Sequence, residues 1–276
     1  MDRRELLTTL AGGTAALSVA DPHIGRAAPA GTNAAAGSAL ERDGLKFWSE
    51  TSLKRVYPNS EPGSAEPLTL VSARNAQLSF QSCFRSVGDR TFRIRAEVEA
   101  PKGWSVQVRR VGYVPMQQLD TDVPLDEIDG VGHVPGLVPD PLYPETTADV
   151  GPASNGAFWI TLKVPVDASV GRHEVAVTVS CVDEYRFTSW QGAKPWSVTL
   201  PVVVDVKPLV LKPRTDFPVT HWLSADSIWE YYKIEPFSER FWELADAYIA
   251  DLTAHNLNVV YSPIFNARHE ILERPA

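Results

Sequence analysis

Trp196-Ser197-Val198-Thr199-Leu200-Pro201-Val202-Val203-Val204-Asp205-Val206 is the longest stretch of this chain in which every second side chain is apolar. A period of two predicts a β-strand with one buried face. Six further strand-like stretches lie upstream, at Leu68–Val71, Leu78–Phe84, Phe92–Val98, Trp104–Val108, Phe158–Val164 and Val175–Cys181. Because no helical periodicity separates these seven segments, the sequence predicts a mainly β fold, with an antiparallel β-sandwich over residues 45–211.

The regular strand spacing is interrupted over residues 115–156. This segment holds seven prolines and eight carboxylates with little alternation, which predicts a long, ordered loop. Its acidic side chains suggest a calcium loop, but Pro124 and Leu125 occupy the places of a ligand and of the turn glycine in an EF-hand. We therefore interpret the carboxylates as a solvated acidic loop.

A different pattern follows the sandwich, in the order strand, helix, strand. Val219–Leu223 and Asn258–Ser262 are short apolar strands, and Ser238 can cap a helix between them. This order predicts the first βαβ unit of a (β/α) barrel over residues 216–276. Such a barrel takes roughly 250 residues, and 61 remain here. We expect an incomplete barrel start, and hence an N-terminal fragment of a larger protein.

The N-terminus has the features of an export signal. Arg3 and Arg4 directly precede a modest apolar stretch, Leu6–Ala20, and Ala28-Pro29-Ala30 offers a small-x-small cleavage site. Residues 1–30 resemble a twin-arginine signal peptide, followed by a flexible spacer over residues 31–44. An ordinary Sec signal and an uncleaved anchor are the alternatives. The main expectation is a secreted or extracytoplasmic bacterial protein without stable membrane insertion after cleavage.

Composition excludes some partners and leaves the cysteines undecided. The net charge of −8 and the isoelectric point of about 5.3 disfavour nucleic acid and anionic membranes. No cysteine or histidine spacing is typical of zinc, and we expect no metal and no cofactor. Cys83 and Cys181 both lie in strand-like segments. A disulfide and two buried free thiols are equally compatible with the sequence.

Five short motifs occur in the order found in one family of enzymes. They are Ala73–Gln81 (ARNAQLSFQ), Val138–Pro144 (VPDPLYP), Phe158–Gly171 with its FWI, VP and G positions, Phe237–Trp242 (FSERFW) and Ser262–Phe265 (SPIF). Together they resemble the glycoside hydrolase family 123-like proteins, and the similarity covers residues 45–276. The resemblance implies a sandwich fused to a TIM-type barrel that cleaves N-acetylhexosaminides.

In that family an adjacent Asp-Glu pair in the barrel assists the substrate's own acetamido group, which acts as the nucleophile. This chain contains two such pairs, Asp126-Glu127 and Asp183-Glu184. Both fall in the predicted sandwich and not at the end of a barrel strand. The resemblance therefore implies that the catalytic residues are absent from this chain.

Three residues near the ends of the two barrel-type strands are candidate sugar-binding residues. Barrel enzymes build their sites at the carboxyl ends of the strands, which here are His221 and Trp222 after the first strand and Asn266 after the second. Trp222 can stack on a sugar face, and His221 or Asn266 can bond hydroxyl groups. Barrel packing for Trp222 and loop contacts for the other two are the alternatives.

Two classes of function fit these observations. The first is an exported glycoside hydrolase-like protein acting on N-acetylhexosaminide glycans, here an inactive N-terminal fragment. The second is a non-catalytic β-sandwich module that binds carbohydrate or supports a partner. An amphipathic helix after the sandwich favours the first class, because a free-standing module has no use for it.

Overall fold

The computed structural model describes residues 38–120, 122–186, 195–212 and 217–262. All of them belong to one compact unit, Ser38–Ala276. The predicted signal peptide lies outside the described residues. The strands, in chain order, are β1 (Leu40–Arg42), β2 (Leu45–Thr51), β3 (Leu68–Arg74), β4 (Gln77–Ser86), β5 (Arg90–Glu99), β6 (Ser105–Met116), β7 (Gly136–Tyr143), β8 (Thr147–Val150), β9 (Asn155–Lys163), β10 (Gly171–Arg186), β11 (Ser197–Val210), β12 (Thr220–Trp222) and β13 (Val259–Tyr261). Two helices, α1 (Ala225–Tyr232) and α2 (Glu239–Ala254), lie between β12 and β13.

The first eleven strands form two sheets. One has six strands in the order β1-β2-β4-β9-β6-β7, and the other has five in the order β3-β11-β10-β5-β8. All pairs are antiparallel except β3 with β11, which run parallel from Leu68 opposite Val202. The predicted mainly β fold with antiparallel sheets is confirmed, and the parallel edge pair is the departure from it.

The two sheets bury one continuous apolar core between them. Its fully buried aromatic side chains come from both sheets: Phe47, Phe80, Phe84 and Phe158 from the first and Phe92 from the second. The alternating stretch Trp196–Val206 supplies Val198, Leu200, Val202, Val204 and Val206 to the same core. Burying an aliphatic or aromatic side chain contributes about 1.5–3 kcal/mol. Alternation on facing strands is therefore what stabilises the sandwich.

A second apolar cluster lies on the outer face of the six-stranded sheet. It consists of Trp48, Val56, Cys83, Val111 and Ala157, with Trp159 half-buried against it. Val56 comes from the loop over residues 52–63, which therefore packs across the sheet. A sheet in a sandwich usually leaves its outer face to solvent, so the central strands are unusual here in burying both faces at this end.

Asn155 fixes the covering loop to the sheet. Its side-chain amide donates to the carbonyl oxygens of Tyr57 and Ser60, each at 2.8 Å, and its Oδ1 accepts from Arg85 at 3.1 Å. The backbone nitrogen of Asn155 also donates to the carbonyl of Pro58 at 2.9 Å. With 3% of its surface exposed, Asn155 makes these bonds where water does not compete.

The segment over residues 115–156 is only partly the loop that the sequence predicts. β7 and β8 lie within it, so that part of the prediction is wrong. Pro139 and Pro141 argue against a strand in the sequence, because proline cannot donate a backbone hydrogen bond. Both are tolerated in β7 because it is the edge strand of the described six-stranded sheet. A register shift opposite Gly112 brings Tyr143 so close that any side chain at Gly112 would collide with its ring.

The last residues predicted as a flexible spacer are also structured. β1 and β2 form a hairpin through Asp43 and Gly44, whose φ angles are 50° and 83°. Two consecutive residues with positive φ are characteristic of the tight turn that joins antiparallel strands, and Asp-Gly suits it. The hairpin places Leu45 and Phe47 in the core.

The segment after the sandwich contains a parallel strand pair and two helices. β12 pairs with β13 with Thr220 opposite Val259 and Trp222 opposite Tyr261. The helix predicted after Ser238 is confirmed as α2, and the Ser238 hydroxyl accepts the backbone N–H of Phe241 at 3.3 Å. The sequence prediction missed α1. The two helices share a small apolar cluster made of Ala225, Ile228, Phe241 and Ala245, with Trp229, Ile234 and Leu244 partly buried against it.

Two large apolar side chains of α2 are not buried. Tyr248 and Ile249 are 40% and 41% exposed. The Tyr248 hydroxyl lies 3.3 Å from that of Tyr232 on α1, and this hydrogen bond is the main reason that the pKa of Tyr248 is raised. Neither described helix has the length and apolar content that crossing a bilayer requires.

Both cysteines are free and buried. Cys181 lies in the core between the sheets, whereas Cys83 belongs to the cluster on the outer face of the six-stranded sheet. The two thiols thus lie on opposite sides of that sheet. Of the disulfide and the free thiols that the sequence left open, the structure has the free thiols. Burial raises the pKa of Cys181 to about 11 and that of Cys83 well above its usual value.

We expect Asn155→Ala to lower the free energy of unfolding by about 2–3 kcal/mol, because it removes three hydrogen bonds between buried groups. Urea denaturation followed by tryptophan fluorescence measures the change. Gln107→Ala on the exposed part of the same sheet is the control and should stay within about 0.5 kcal/mol of the wild type. Equal stabilities for the two variants would show that Asn155 does not hold the loop.

Candidate functional site

The carboxyl ends of β12 and β13 carry an exposed pair of aromatic side chains. Trp222 and Tyr261 lie directly opposite each other in the parallel register. Their ring centroids are 4.7 Å apart with the planes inclined by 56°. Trp222 is 72% exposed and Tyr261 is 51% exposed. Large apolar rings exposed together to this extent usually mark a binding surface or an interface.

The backbone around this pair is fixed at both ends of the strands. Beyond Trp222, the N–H of Leu223 donates to the carbonyl of Tyr261 at 2.9 Å. At the amino ends, the Asn258 side chain accepts from the N–H of Val219 at 2.7 Å and donates to the carbonyl of Phe217 at 3.0 Å. Asn258 therefore sets the register that brings Trp222 beside Tyr261.

One carboxylate follows Trp222 closely in the sequence. Asp226 in the first turn of α1 accepts hydrogen bonds from the Ser224 hydroxyl at 2.5 Å and from the N–H of Ser227 at 3.0 Å. A carboxylate at this place is stabilised by the partial positive charge of the helix start. The contacts make Asp226 a capping group that fixes the turn between β12 and α1.

The predicted site residues do not all come together. Trp222 lies at the strand end, as expected from the sequence. His221 is exposed on the opposite face of β12, because successive side chains in a strand alternate between faces. It pairs across the sheet with Val260. Asn266 lies outside the described residues.

The two adjacent Asp-Glu pairs lie far along the chain from this site, in the sandwich. Asp126 and Glu127 are exposed in a short 3-10 turn. Asp183 and Glu184 are on β10, where Glu184 forms an ion pair with Arg90 at 2.9 Å. Neither pair stands at the end of a described parallel strand. Within the described ranges, no group of three or more His, Cys, Asp or Glu side chains is arranged to hold a metal ion.

The arrangement at the strand ends can bind a flat, partly apolar ligand. An indole and a phenol ring offer apolar faces together with one N–H and one O–H group for hydrogen bonds. Pyranose rings have this mixed character, with C–H groups on their faces and hydroxyls around the rim. Among the described residues at the strand ends, no acid and base face each other, and what the site offers is a pair of rings suited to contact a sugar face.

Comparison with known proteins connects this region with one enzyme family. Residues 222–274 match the family model of the glycoside hydrolase 123 catalytic domain. The fold also matches a family 123 glycoside hydrolase from Clostridium perfringens, whose structural analysis concerns glycolipid glycan hydrolysis. The chain resembles the family 123 glycoside hydrolases. This confirms the resemblance that the five sequence motifs indicate.

The match to the Clostridium perfringens enzyme has a TM-score of 0.58 at 13% sequence identity and covers 78% of this chain. It covers 37% of the enzyme, so this chain spans little more than a third of that length. At this identity the likeness concerns the fold alone. Among curated proteins, no sequence matches this chain.

Weaker structural matches involve proteins of other kinds. WR4, an MSP family member of C. elegans, has a TM-score of 0.25 at 5% identity, over 50% of this chain and 92% of that one. PapD-like domain 7 of human CEP192 has a TM-score of 0.27 at 7% identity, over 57% of this chain and 94% of that one. Scores this low assign no fold.

Two residues of the site were missed by sequence reasoning. Tyr261 was assigned to a strand but not to the site, although the parallel pairing of two equally short strands would have placed it beside Trp222. Asp226 lies in α1, which was not predicted at all. The signal was present in Ser224-Ala225-Asp226, a typical helix start with a small polar residue followed by an acidic first turn.

Proposed function

We propose that this chain is part of an exported glycosidase that acts on glycans containing N-acetylhexosaminides. In this proposal, β12, α1, α2 and β13 form the first βαβ unit of a TIM-type barrel, and the β-sandwich is its N-terminal support. One observation carries the proposal: the exposed Trp222–Tyr261 pair stands at the carboxyl ends of parallel strands, inside the segment that matches the family 123 catalytic domain. Barrel enzymes build their sites at these strand ends.

Exposure of the parallel strand pair supports the barrel assignment. Parallel strands are normally covered on both faces, yet Val259 and Val260, on opposite faces of β13, are 39% and 37% exposed. Trp242 on α2 is 53% exposed. Two paired strands are also too few to form a stable sheet alone. Further β and α units would cover these surfaces in a complete barrel.

In the proposed enzyme, this chain contributes sugar recognition and not the catalytic acid. Substrate-assisted cleavage needs one carboxylate to orient the acetamido group and another to protonate the leaving oxygen. At the described strand ends, Asp226 is already occupied by Ser224 and Ser227. The chain as given should therefore bind an N-acetyl sugar without hydrolysing it.

Binding at the strand ends is tested by saturation-transfer NMR with N-acetylgalactosamine. We expect saturation to reach the acetyl methyl group and the ring protons through the wild-type protein, and to fall by at least about fivefold in Trp222→Ala, because stacking on an aromatic ring is the main contact. Trp242→Ala, which removes another exposed tryptophan, is the control and should leave the signal unchanged. A signal that is undiminished in Trp222→Ala would show that the strand ends are not the main site for this sugar.

Hydrolysis is tested by incubating the chain with aryl N-acetylgalactosaminide and aryl N-acetylglucosaminide and measuring release of the phenol. We expect no turnover above the rate in buffer, because no acid–base pair faces the aromatic site among the residues that the structure describes. Glu127→Gln and Glu184→Gln are the informative variants. Turnover that either substitution abolishes would place the acid in the sandwich and overturn the assignment.

The export part of the proposal rests on the sequence of the N-terminus, which lies outside the described residues. Arg3 and Arg4 precede the apolar stretch in the manner of twin-arginine signals. An exported protein meets glycans outside the cytoplasm, and this location suits a glycosidase of the proposed class.

Fusing residues 1–44 to a reporter that is active only after export tests the route. We expect the double variant Arg3→Lys, Arg4→Lys to block export, since the twin-arginine receptor reads the guanidinium pair. Replacing Arg26 by Lys, outside the pair, is the control. Undiminished export of the double variant would indicate the Sec route instead.

A further inference from the structure

The outer face of the six-stranded sheet is covered at one end only. The loop over residues 52–63 packs on the end that carries Trp48, Cys83 and Ala157. No loop of the described part of the chain packs across the other end, which adjoins the end of α2. Trp159 lies at the boundary, with one side against the covered cluster and the rest half-exposed.

Strand register places a block of polar side chains on the uncovered end. Directly paired residues of antiparallel strands share a face, and the pairing of β4, β9 and β6 puts three rows side by side. The rows are Gln81–Trp159–Arg109, Ser79–Thr161–Gln107 and Gln77–Lys163–Ser105. Gln81 is already bonded to the carbonyls of Thr51 and Lys54, so the remaining members form the open surface.

A groove runs along this surface beside the end of α2. It consists of two adjoining cavities of about 490 and 570 Å³, which share Gln77, Ala254, His255 and Asn256. Ser79 and Trp159 line the first cavity. Asn75, Lys163 and Lys212 line the second. Sites for small ligands have volumes of roughly 300–1,000 Å³, so each cavity has room for one or two sugar rings.

The charge of the groove is opposite to that of the chain. The chain has a net charge of −8, but the described residues that line the two cavities include Lys163 and Lys212 and no aspartate or glutamate. His255 also lines them, but its ring bonds the backbone carbonyl of Asp251 and lies 3.7 Å from that residue's carboxylate, so it is not counted as a cation. Neither lysine forms an ion pair with another described residue. Arg109, directly across the sheet from Trp159, is equally without an ionic partner among them. A groove of this kind favours an anion.

Its other groups are those that bind sugars. Trp159 packs against the apolar cluster at the covered end and also lines the first cavity. This packing restrains its ring, so stacking a sugar on it has a low conformational cost. The amides of Gln77 and Asn256 can each donate and accept hydrogen bonds, as sugar hydroxyls require. The Asn75 amide already donates to the carbonyl of Leu211 at 2.8 Å, which leaves its oxygen and one N–H for a ligand.

We propose that this groove binds an anionic oligosaccharide, with Trp159 stacking on a sugar ring and Lys163 and Lys212 binding carboxylate or sulfate groups. The sugar part of this assignment rests on the proposed function, whereas the preference for an anion rests on the groove itself. The groove is distinct from the Trp222–Tyr261 site. It includes His255 and Asn256, which precede the amino end of β13, and the aromatic pair stands at the carboxyl end.

The experiment measures binding of a fluorescently labelled chondroitin sulfate hexasaccharide to the full chain by anisotropy, with uncharged N-acetylglucosamine hexasaccharide as the neutral probe. We expect the anionic probe to bind more tightly and its affinity to fall as NaCl is raised, because salt screens exposed charges. The double variant Lys163→Ala, Lys212→Ala should weaken binding by at least about tenfold, since charge-assisted hydrogen bonds are lost. Trp159→Leu, which keeps an apolar side chain against the cluster, should weaken binding of both probes.

Lys102→Ala, in the exposed turn between β5 and β6, is the matched control and should bind as the wild type does. Thermal unfolding of each variant verifies that it is folded. Absence of binding, equal affinity for both probes, or an equal loss in Lys102→Ala would each overturn the proposal. We expect Trp222→Ala to bind the chondroitin sulfate hexasaccharide as the wild type does. The proposal for the groove and the proposal for the strand-end site can therefore fail independently.

Discussion

Burial of the central strands β4 and β9 on both faces is the constraint on which the rest of the sandwich depends. Phe80, Phe84 and Phe158 fill the core between the sheets, while Cys83 and Ala157 lie beneath a second layer on the outer face. A bare apolar outer face would be exposed to water. The chain covers it with an irregular loop, which has no sheet partner for its carbonyl groups. Asn155 supplies the missing donors, so a single buried amide lets a loop serve as a structural layer.

The incomplete cover has a consequence for function. Where the loop ends, the same sheet changes from apolar side chains to serine, threonine, glutamine, lysine and arginine, with Trp159 at the boundary. The second aromatic surface, Trp222 with Tyr261, belongs to a different part of the fold and depends on Asn258 for its register. The two surfaces have different chemistry, because one is basic and rich in amides and the other is a pair of rings at strand ends. A glycosidase that acts on long or branched glycans would have use for both.

Sequence reasoning succeeded where one interaction dominates and failed where two signals conflict. Alternation predicted β5, β6, β9, β10 and β11, since it reflects burial of one face, and two shorter candidate segments correspond to β3 and β4. β7 was missed because Pro139 and Pro141 argue against a strand, and only its place at the sheet edge makes them harmless. The β1–β2 hairpin was missed although Asp43-Gly44 is a typical turn signal between two short strands. In the site, Trp222 was predicted from its place at a strand end, but its partner Tyr261 required the register of the parallel pair.

The sequence by itself determined the mainly β class, the positions of most long strands and the helix capped by Ser238. It also determined the resemblance to family 123 glycoside hydrolases. All of these depend on periodicity, capping and motifs within short stretches of chain. Only the tertiary structure decided which faces are covered and which residues meet. Cys83 and Cys181 fell on opposite sides of one sheet, and His221 and Trp222 on opposite faces of one strand. Trp159, Lys163 and Lys212 came to line one groove with the end of α2. Such neighbours are joined by sheet register and by packing between distant segments, and no local pattern in the chain records either.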